Sequence, residues 1–478
     1  MTKETRSPKI SGKPCSAGNN NVSLLAHTRR IGSRNGGHFK EGQYSVLDLA
    51  EATRFVLMIT PQTRSTFGEQ LEEILAVMRR ILEQRPQRAA ITIQTIFLRE
   101  PGDQLECQAI LAEHHRSRMP VTNIVIQPPC DGAAVAIEAW AICGNSVRLK
   151  SFGPQGVVVS YDGLRWTYCG GITAASRAHG VYDVTTEGFQ RMSVLLQKGG
   201  SRFARVVRTW LYLGGITEPE QGTLRYQELN RARKDFYAGV PFGDRVAERN
   251  GVRWNFPSDT STLDENPLRA RKEAVATGNG SRSLKFYPAS TGIGTRGCGL
   301  VMSCMTLETE REDVFLLPLE NPQQTPAYSY PAFEAAQIPQ FSRAIALVVG
   351  DYLTTWISGT ASIVNSASCY PGDIERQTEQ TIDNIQRLIA ADNFQRHGLS
   401  GAGARLGDLT KIRVYLKRVE DFAKCRNICE RRLGGVPAIY LTADICRPEL
   451  LVEIEGVAFS KCALPNDAPV RSRSFFEI

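Results

Sequence analysis

Long apolar runs are missing from this 478-residue chain. None approaches the roughly 18 residues that a membrane-spanning helix needs, and the opening MTKETRSPKISGK lacks the hydrophobic core of a secretion signal. Neither a span nor export is expected, and the expected compartment is the cytoplasm. The twelve cysteines fall without a C-x-x-C or any zinc-type pairing, so they read as reduced thiols. Cys425 and Cys429 fit one face of a helix better than a metal site. Histidine is scarce, six in all, and the adjacent pair His114 and His115 would project about 100° apart on a helix, a poor metal geometry. G-x-S-x-G, H-E-x-x-H and Walker sequences are absent, which leaves the corresponding serine hydrolases, zinc hydrolases and P-loop enzymes without footing. Beyond the N-terminal arm there is no long Lys/Arg run. A net charge of +8 therefore suits a small anionic substrate, and nucleic-acid binding is not expected.

What is present is ordinary globular composition, 42% hydrophobic and 22% charged, in a chain long enough for about three or four domains. Residues 1–45 are rich in Lys, Arg, Ser, Asn and Gly and read as a disordered basic arm. After them, one order of elements (strand, helix, strand, helix, strand pair) recurs three times. The first pass has strand FVLMIT, a helix with Leu71, Ile74, Leu75, Met78 and Leu82 at helical spacing, strand ITIQTIFL, helix DQLECQAILAEHH and closing strand AVAIEAWAI. The second has LRWTYCGGITA, a helix near Thr185 to Gln197, RVVRTWLYLGGI, helix LRYQELNRARKDFY, and FYPASTGIGTRGCGLVMSCMTLE after a polar insertion at about 241–282. The third has YLTTWISGTASIV, a helix with Ile374, Thr378, Thr381, Ile385 and Leu388 inward, LTKIRVYL, VEDFAKCRNICERRL and a terminal pair. This predicts an α+β fold of three units, 46–150, 151–320 and 321–462, each a sheet with two helices on one face, followed by a tail at 463–478.

The terminal pair, YLTADICRPELLVEIEGVAFS from Tyr440, is two apolar runs broken by Arg447-Pro448-Glu449, which predicts a β-hairpin. A tight turn would set Ala443 or Asp444 opposite Glu453. Alternation puts Leu451, Glu453, Glu455 and Val457 on one strand face. By pattern alone the two glutamates are a strand's wet side; burial or acidic neighbours would instead raise a carboxyl pKa. Aligning IEAWA with IEGVA puts Ala136 where Glu453 stands, and the second closing strand has no carboxylate before Glu308. One acid, and so one site per chain between the second and third units, is the expectation.

Gly292, Gly294 and Gly297 satisfy G-x-G-x-x-G, but the extended-looking LVMSCMTLE follows where a dinucleotide site needs a helix. Arg208, Trp210 and Tyr212 share a strand face, and Tyr226 and Arg233, seven apart, share a helix face.

The string RPELLVEIEGVA resembles the closing strand of the Rid/YjgF (L-PSP) family, and TADICRPELLVEIEG is similar to that of the chorismatases, which share the fold and hydrolyse chorismate. YPASTGIG, NPQQTPAYSYPAF, FSRAIAL and WISGTASIV also resemble chorismatase segments, so the likeness covers roughly Tyr161 to Ser460. The resemblance implies Glu453 as general acid on the enolpyruvyl methylene and Cys446 as a pocket residue that helps decide what attacks. It implies Tyr212, Tyr226, Arg233, Ser290, Thr291 and Gly292 as substrate-binding candidates, with no metal or organic cofactor. Rid proteins are homotrimers with sites between subunits, so three units in one chain imply a monomeric pseudo-trimer.

Two departures point to alternatives. The family's Gly-His-Glu group and later His, ahead of a Gly-Asp pair, are replaced by Asn365-Ser-Ala-Ser-Cys-Tyr-Pro-Gly-Asp373, the basis for a non-catalytic small-acid-binding or interaction protein. The carboxylate-binding arginine of Rid deaminases would follow Pro437-Ala438, where Ile439 stands, which weighs against a Rid-type enamine or imine hydrolase.

Overall fold

The computed structural model describes residues 27–30, 43–49, 51–84, 87–174, 180–242, 253–254, 287–297, 299–311, 313–331 and 337–462. They build three large sheets and two two-stranded ribbons. The first comprises β1 (His27–Arg30), β2 (Gln43–Asp48), β3 (Thr53–Ile59), β4 (Ala90–Leu98), β5 (Val121–Ile126) and β6 (Val135–Cys143), with helices α1 (Phe67–Leu82) and α2 (Gln104–His115). The second comprises β7 (Arg148–Ser151), β8 (Gly156–Tyr161), β9 (Leu164–Ile172), β10 (Val206–Gly214), β11 (Ala289–Thr295) and β12 (Leu300–Thr309), with α3 (Val181–Lys198) and α4 (Arg225–Ala238). The third comprises β13 (Val314–Leu319), β14 (Ala344–Val349), β15 (Tyr352–Ala361), β16 (Leu409–Leu416), β17 (Ala438–Thr442) and β18 (Val452–Lys461), with α5 (Ile374–Ile389) and α6 (Phe422–Leu433).

The order is the same each time: β3-β6-β4-β5, β9-β12-β10-β11 and β15-β18-β16-β17. In each, the last strand inserts antiparallel into the middle, and the strand before it pairs parallel at the edge. This corrects the hairpin expectation for Tyr440 to Ser460. β17 and β18 are not neighbours, because β16 lies between them, and Glu453 stands opposite Tyr415 and Ala361 rather than Ala443 or Asp444. The parallel pair β16 and β17 is joined by the crossover through α6, and residues 443–451 then carry the chain past β16 to the antiparallel β18, which a two-residue turn could not do. The arm is corrected too: His27–Arg30 and Gln43–Val46, three residues of the latter inside 1–45, pair as strands. Most of the 241–282 insertion and all of 463–478 lie outside the described residues, while Arg253–Trp254 pairs with β13.

Alternation explains how the sheets meet. Phe55, Leu57 and Ile59 of β3 pack on α1 and α2 with Leu71, Ile74 and Leu111. Val56 and Met58, facing the other way, join Phe97, Ala136, Tyr212, Ile293, Tyr415 and Leu441 in a core drawn from all three sheets. Helices therefore lie on the outer faces and the inner faces converge. Backbone bonds tie every pair of sheets: Arg296 N–H to Ile126 O (2.9 Å), Gly294 N–H to Asp444 O (2.8 Å) and Thr442 N–H to Pro128 O (2.8 Å). α5 is capped by Asp373, which accepts from Arg376 N–H, and turns Ile374, Thr378, Thr381, Ile385 and Leu388 inward as its spacing requires.

At the convergence lie buried charges. Glu455 of β18 accepts from Arg208 Nη2 (2.8 Å), Lys411 Nζ (3.1 Å) and Trp210 Nε1 (3.1 Å). Glu138 of β6 accepts from Arg413 Nε (2.5 Å) and Lys411 Nζ (3.2 Å). Breaking such a set from one side leaves cations buried without their counter-ion. Glu455→Gln is expected to lower stability by roughly 3–5 kcal/mol in urea unfolding; a loss under about 1 kcal/mol, as for a surface pair, would contradict this account.

Candidate active site at the seam of the second and third sheets

A cavity of about 280 Å³ lies between α4 and β11 of the second sheet and β15, β18 and the 443–451 crossover of the third. Its position follows from local sequence. α4 buries Leu229 and Tyr237 on its own sheet, which leaves Tyr226, Asn230 and Arg233, at i, i+4 and i+7, for the seam. β18 carries Glu453 on its inner face. Gly359, across the β15 irregularity, leaves room for it: a Cβ there would collide with Glu453 Oε1. Gly292 similarly lets Tyr226 approach, since a Cβ would sit 3.2 Å from its ring.

Six of the eight sequence candidates meet in this cavity: Glu453, Cys446, Tyr226, Arg233, Ser290 and Gly292. Two do not. Tyr212 points into the inner core, where its hydroxyl accepts from Arg413 Nη1 (2.6 Å). Leu211 and Leu213, on the other face of β10, pack with residues of α3 and α4, while Arg208, Trp210 and Tyr212 all face the charge cluster. Thr291 sits behind the wall, accepting from Arg208 Nη2 and Gly359 N–H while donating to Glu455. Both are therefore supports of the site rather than lining residues.

Sequence reasoning missed Arg343, Arg447, Phe341 and Tyr330. Arg343 and Phe341 stood in FSRAIAL, a segment singled out only as a whole; a buried cation within an apolar strand was the available signal. Arg343 is 3% exposed, donates to Tyr330 Oη (2.6 Å) and lies 5.4 Å from the Phe341 ring centroid, with Arg233 at 5.8 Å from the same ring. The Nε–H groups of Arg233 and Arg343 are buried without a partner among the described residues. Arg447 donates to Ser366 O (2.8 Å) and Ser368 Oγ (3.2 Å), and Ser368 donates to Glu449 (2.6 Å). The Asn365–Tyr370 segment thus holds the cavity wall.

The two glutamates of β18 are driven apart. Burial pushes Glu453, 4% exposed, up to about 8; the neighbouring Glu455 charge adds to this, while Arg208 and Arg343 oppose it. Burial acts in the same direction on Glu455, but Lys411, Arg413, Arg208 and the Thr291 hydrogen bond override it and hold that carboxyl well below the usual range. Burial, with Glu453 beside it, pushes the Cys446 thiol up to about 12, so it is a neutral thiol. The result is one neutral acid and one fixed carboxylate two residues apart, a division of the kind that separates proton donor from electrostatic support. No group of His, Cys, Asp and Glu able to hold a metal occurs among the described residues, and no described helix is long and apolar enough to cross a membrane.

Because Glu453 keeps its proton in the folded chain up to about 8, while the unfolded chain releases it near the ordinary value, stability falls as pH rises through that interval. Glu453→Gln removes this dependence. The variant is expected to gain stability over the parent progressively from about pH 5 to about pH 8 and by a constant amount above; urea unfolding at a series of pH values checks it, and a difference independent of pH would contradict it.

No protein-family model matches the chain. It is similar to a 3-hydroxybenzoate synthase of Streptomyces hygroscopicus, 38% identical over 220 residues, which cover 43% of this chain and 62% of the relative. A chorismatase of the same species is 35% identical over 210 residues, 43% of this chain and 60% of the relative. The chain thus spans less than two thirds of the length of these relatives. A RutC family protein of Pyrococcus abyssi is 29% identical over 119 residues, 24% of this chain and 84% of the relative. A crystal structure of a chorismatase superposes with a TM-score of 0.58 at 21% identity, covering 86% of this chain and all of that one. The chain therefore has a mixed α+β fold of the chorismatase and Rid-like kind and shares recognisable sequence with chorismatases over 43% of its length.

Proposed function

We propose that the chain is a chorismatase-type hydrolase that removes pyruvate from chorismate or a close enol ether. The observation that carries this is Glu453, a buried carboxylic acid kept neutral at the end of a cavity lined by Arg233, Arg343 and Arg447. Hydrolysis of an enol ether starts with proton transfer to the terminal methylene carbon, which needs an acid that still holds its proton near neutral pH. Glu453 supplies the proton and becomes a carboxylate. The oxocarbenium-like carbon so formed is attacked by water, or by a hydroxyl of the substrate, and the proton lost by the nucleophile returns to Glu453. Where water attacks, the resulting hemiketal collapses to pyruvate and the ring alcohol.

Arginine forks suit the two carboxylates of such a substrate, and the buried Nε–H groups of Arg233 and Arg343, without a partner among the described residues, are donors for it in this scheme. Tyr226, Ser290 and the Gly292 backbone contact the substrate in this scheme, and Cys446 lies where it would influence the choice of nucleophile. The scheme calls for no cofactor.

The three sheets form a single-chain ring with one site. At the seam of the third and first sheets a cavity of about 540 Å³ lies against Phe422 and Cys429, seven apart as Tyr226 and Arg233 are. The closing strand of the first sheet has Ala136, opposite Phe97, where the third has Glu453 opposite Tyr415. A second reading, a non-catalytic small-acid-binding protein, is favoured by one observation: Asn365–Tyr370 supplies serines to the cavity wall in place of the family's His and Glu. Rid-type imine hydrolysis is disfavoured because Ile439 is packed in the inner core.

Pyruvate release from chorismate is the test. Glu453→Gln is expected to lower turnover by about 10²- to 10⁴-fold while ligand binding persists; unchanged turnover removes Glu453 from the mechanism, and binding without turnover in the parent chain supports the second reading. Light scattering is expected to give the mass of one chain; an obligate trimer would overturn the single-chain ring.

A further inference from the structure

The proposed chemistry gives the first sheet no part beyond closing the ring, yet one of its side chains reaches the charges behind the acid. Glu138 of β6 is 1% exposed. Its Oε2 accepts from Lys411 Nζ (3.2 Å) and Arg413 Nε (2.5 Å), and its Oε1 from Trp140 Nε1 (2.9 Å). The same two cations face Glu455: Lys411 Nζ is 3.1 Å and Arg413 Nη1 3.4 Å from its Oε1. Glu455 in turn is two residues from Glu453 on the same strand face. The bridge therefore runs from the first sheet, through two cations of β16, to the strand that carries the acid.

We propose that Glu138 is a positioning residue for the Glu453 acid: by sharing Lys411 and Arg413 with Glu455, it limits how much of their positive charge acts on the catalytic end of β18. This rests on the assignment of Glu453 as the acid. The groups packed around the pair come from every neighbouring element. Arg208 and Trp210 of β10 and Thr291 of β11 contact Glu455. Tyr212 of β10 accepts from Arg413, and Tyr415 of β16 stands opposite Glu453 with its hydroxyl buried beside Arg413. Arg343 acts on Glu453 from the cavity side, where Cys446 also lies. With Glu453 neutral, Lys411, Arg413 and Arg208 against Glu138 and Glu455 leave a net formal charge of 3 − 2 = +1. Neutralising Glu138 makes it 3 − 1 = +2, which favours ionised Glu453 and so loss of its proton at lower pH.

The test follows the pH at which Glu453 loses its proton in two ways. One is the high-pH limb of pyruvate release; the other, independent of turnover, is infrared titration of the protonated carboxyl band that Glu453→Gln removes. In Glu138→Gln both are expected to move down by about half a unit to one unit. Lys411→Met is expected to move them up, and the double variant, which restores the parent's net charge, to return them toward the parent. If Glu138→Gln fails to fold, the comparison of Lys411→Met with the double variant carries the same sign. A folded Glu138→Gln with lower turnover but an unmoved limb and an unmoved band would overturn the proposal and leave Glu138 a purely structural residue. If the parent releases no pyruvate, the infrared titration still decides the coupling, and the chemistry alone is rejected.

Discussion

Two carboxylates and three cations are buried together where the sheets converge, and each sheet supplies at least one of them: Glu138 from the first, Arg208 from the second, Lys411, Arg413 and Glu455 from the third. Charges removed from water interact strongly but are costly to bury, so the set is tolerable only when complete. That makes it a device for specificity of assembly as much as for stability. A sheet displaced by one residue in register would present its apolar face to the cluster and leave charges unpaired. The apolar inner core around Val56, Phe97, Ile293 and Leu441 supplies burial; the ion cluster fixes which arrangement is allowed.

The site inherits its chemistry from this constraint. Glu455 has its charge secured by three cations and a threonine hydroxyl, and it therefore acts on Glu453 as a fixed negative neighbour. Glu453 lies one step further out, at a cavity with no hydrogen-bond partner for its carboxyl among the described residues, where burial keeps it neutral. Two glutamates of one strand face thus take opposite parts, one as a charged anchor and the other, in the proposed scheme, as the proton donor. Gly359 and Gly292 matter for the same geometry, since a side chain at either would displace Glu453 or crowd Tyr226.

Much of this was legible in residue order. The helical spacing of Leu71, Ile74 and Met78, and of Ile374, Thr378 and Ile385, fixed the outer layers, and the repeated strand-helix order fixed three similar sheets. The contrast of Glu453 with Ala136 was visible as well, and it is what the single-acid reading rests on. Strand pairing was not, because alternation specifies which face a residue takes but not which strand lies beside it; the Pro448 break looks the same in a hairpin and a crossover. Tyr212 was misplaced for the same reason: residues of one strand face were assigned to a ligand when that face meets the buried charges. Arg343 escaped notice because the groups that hold its Nη2, Thr325 O and Tyr330 Oη, are distant from any local pattern.

The most direct measurement is a crystal structure of Glu453→Gln soaked with chorismate, a variant that keeps the cavity shape while withholding the proton. The account predicts the ligand at the seam of the second and third sheets, its carboxylates on Arg233 and Arg343 and its enolpyruvyl methylene against residue 453. Chorismate bound at another seam, or bound here with the methylene turned away from residue 453, would contradict it.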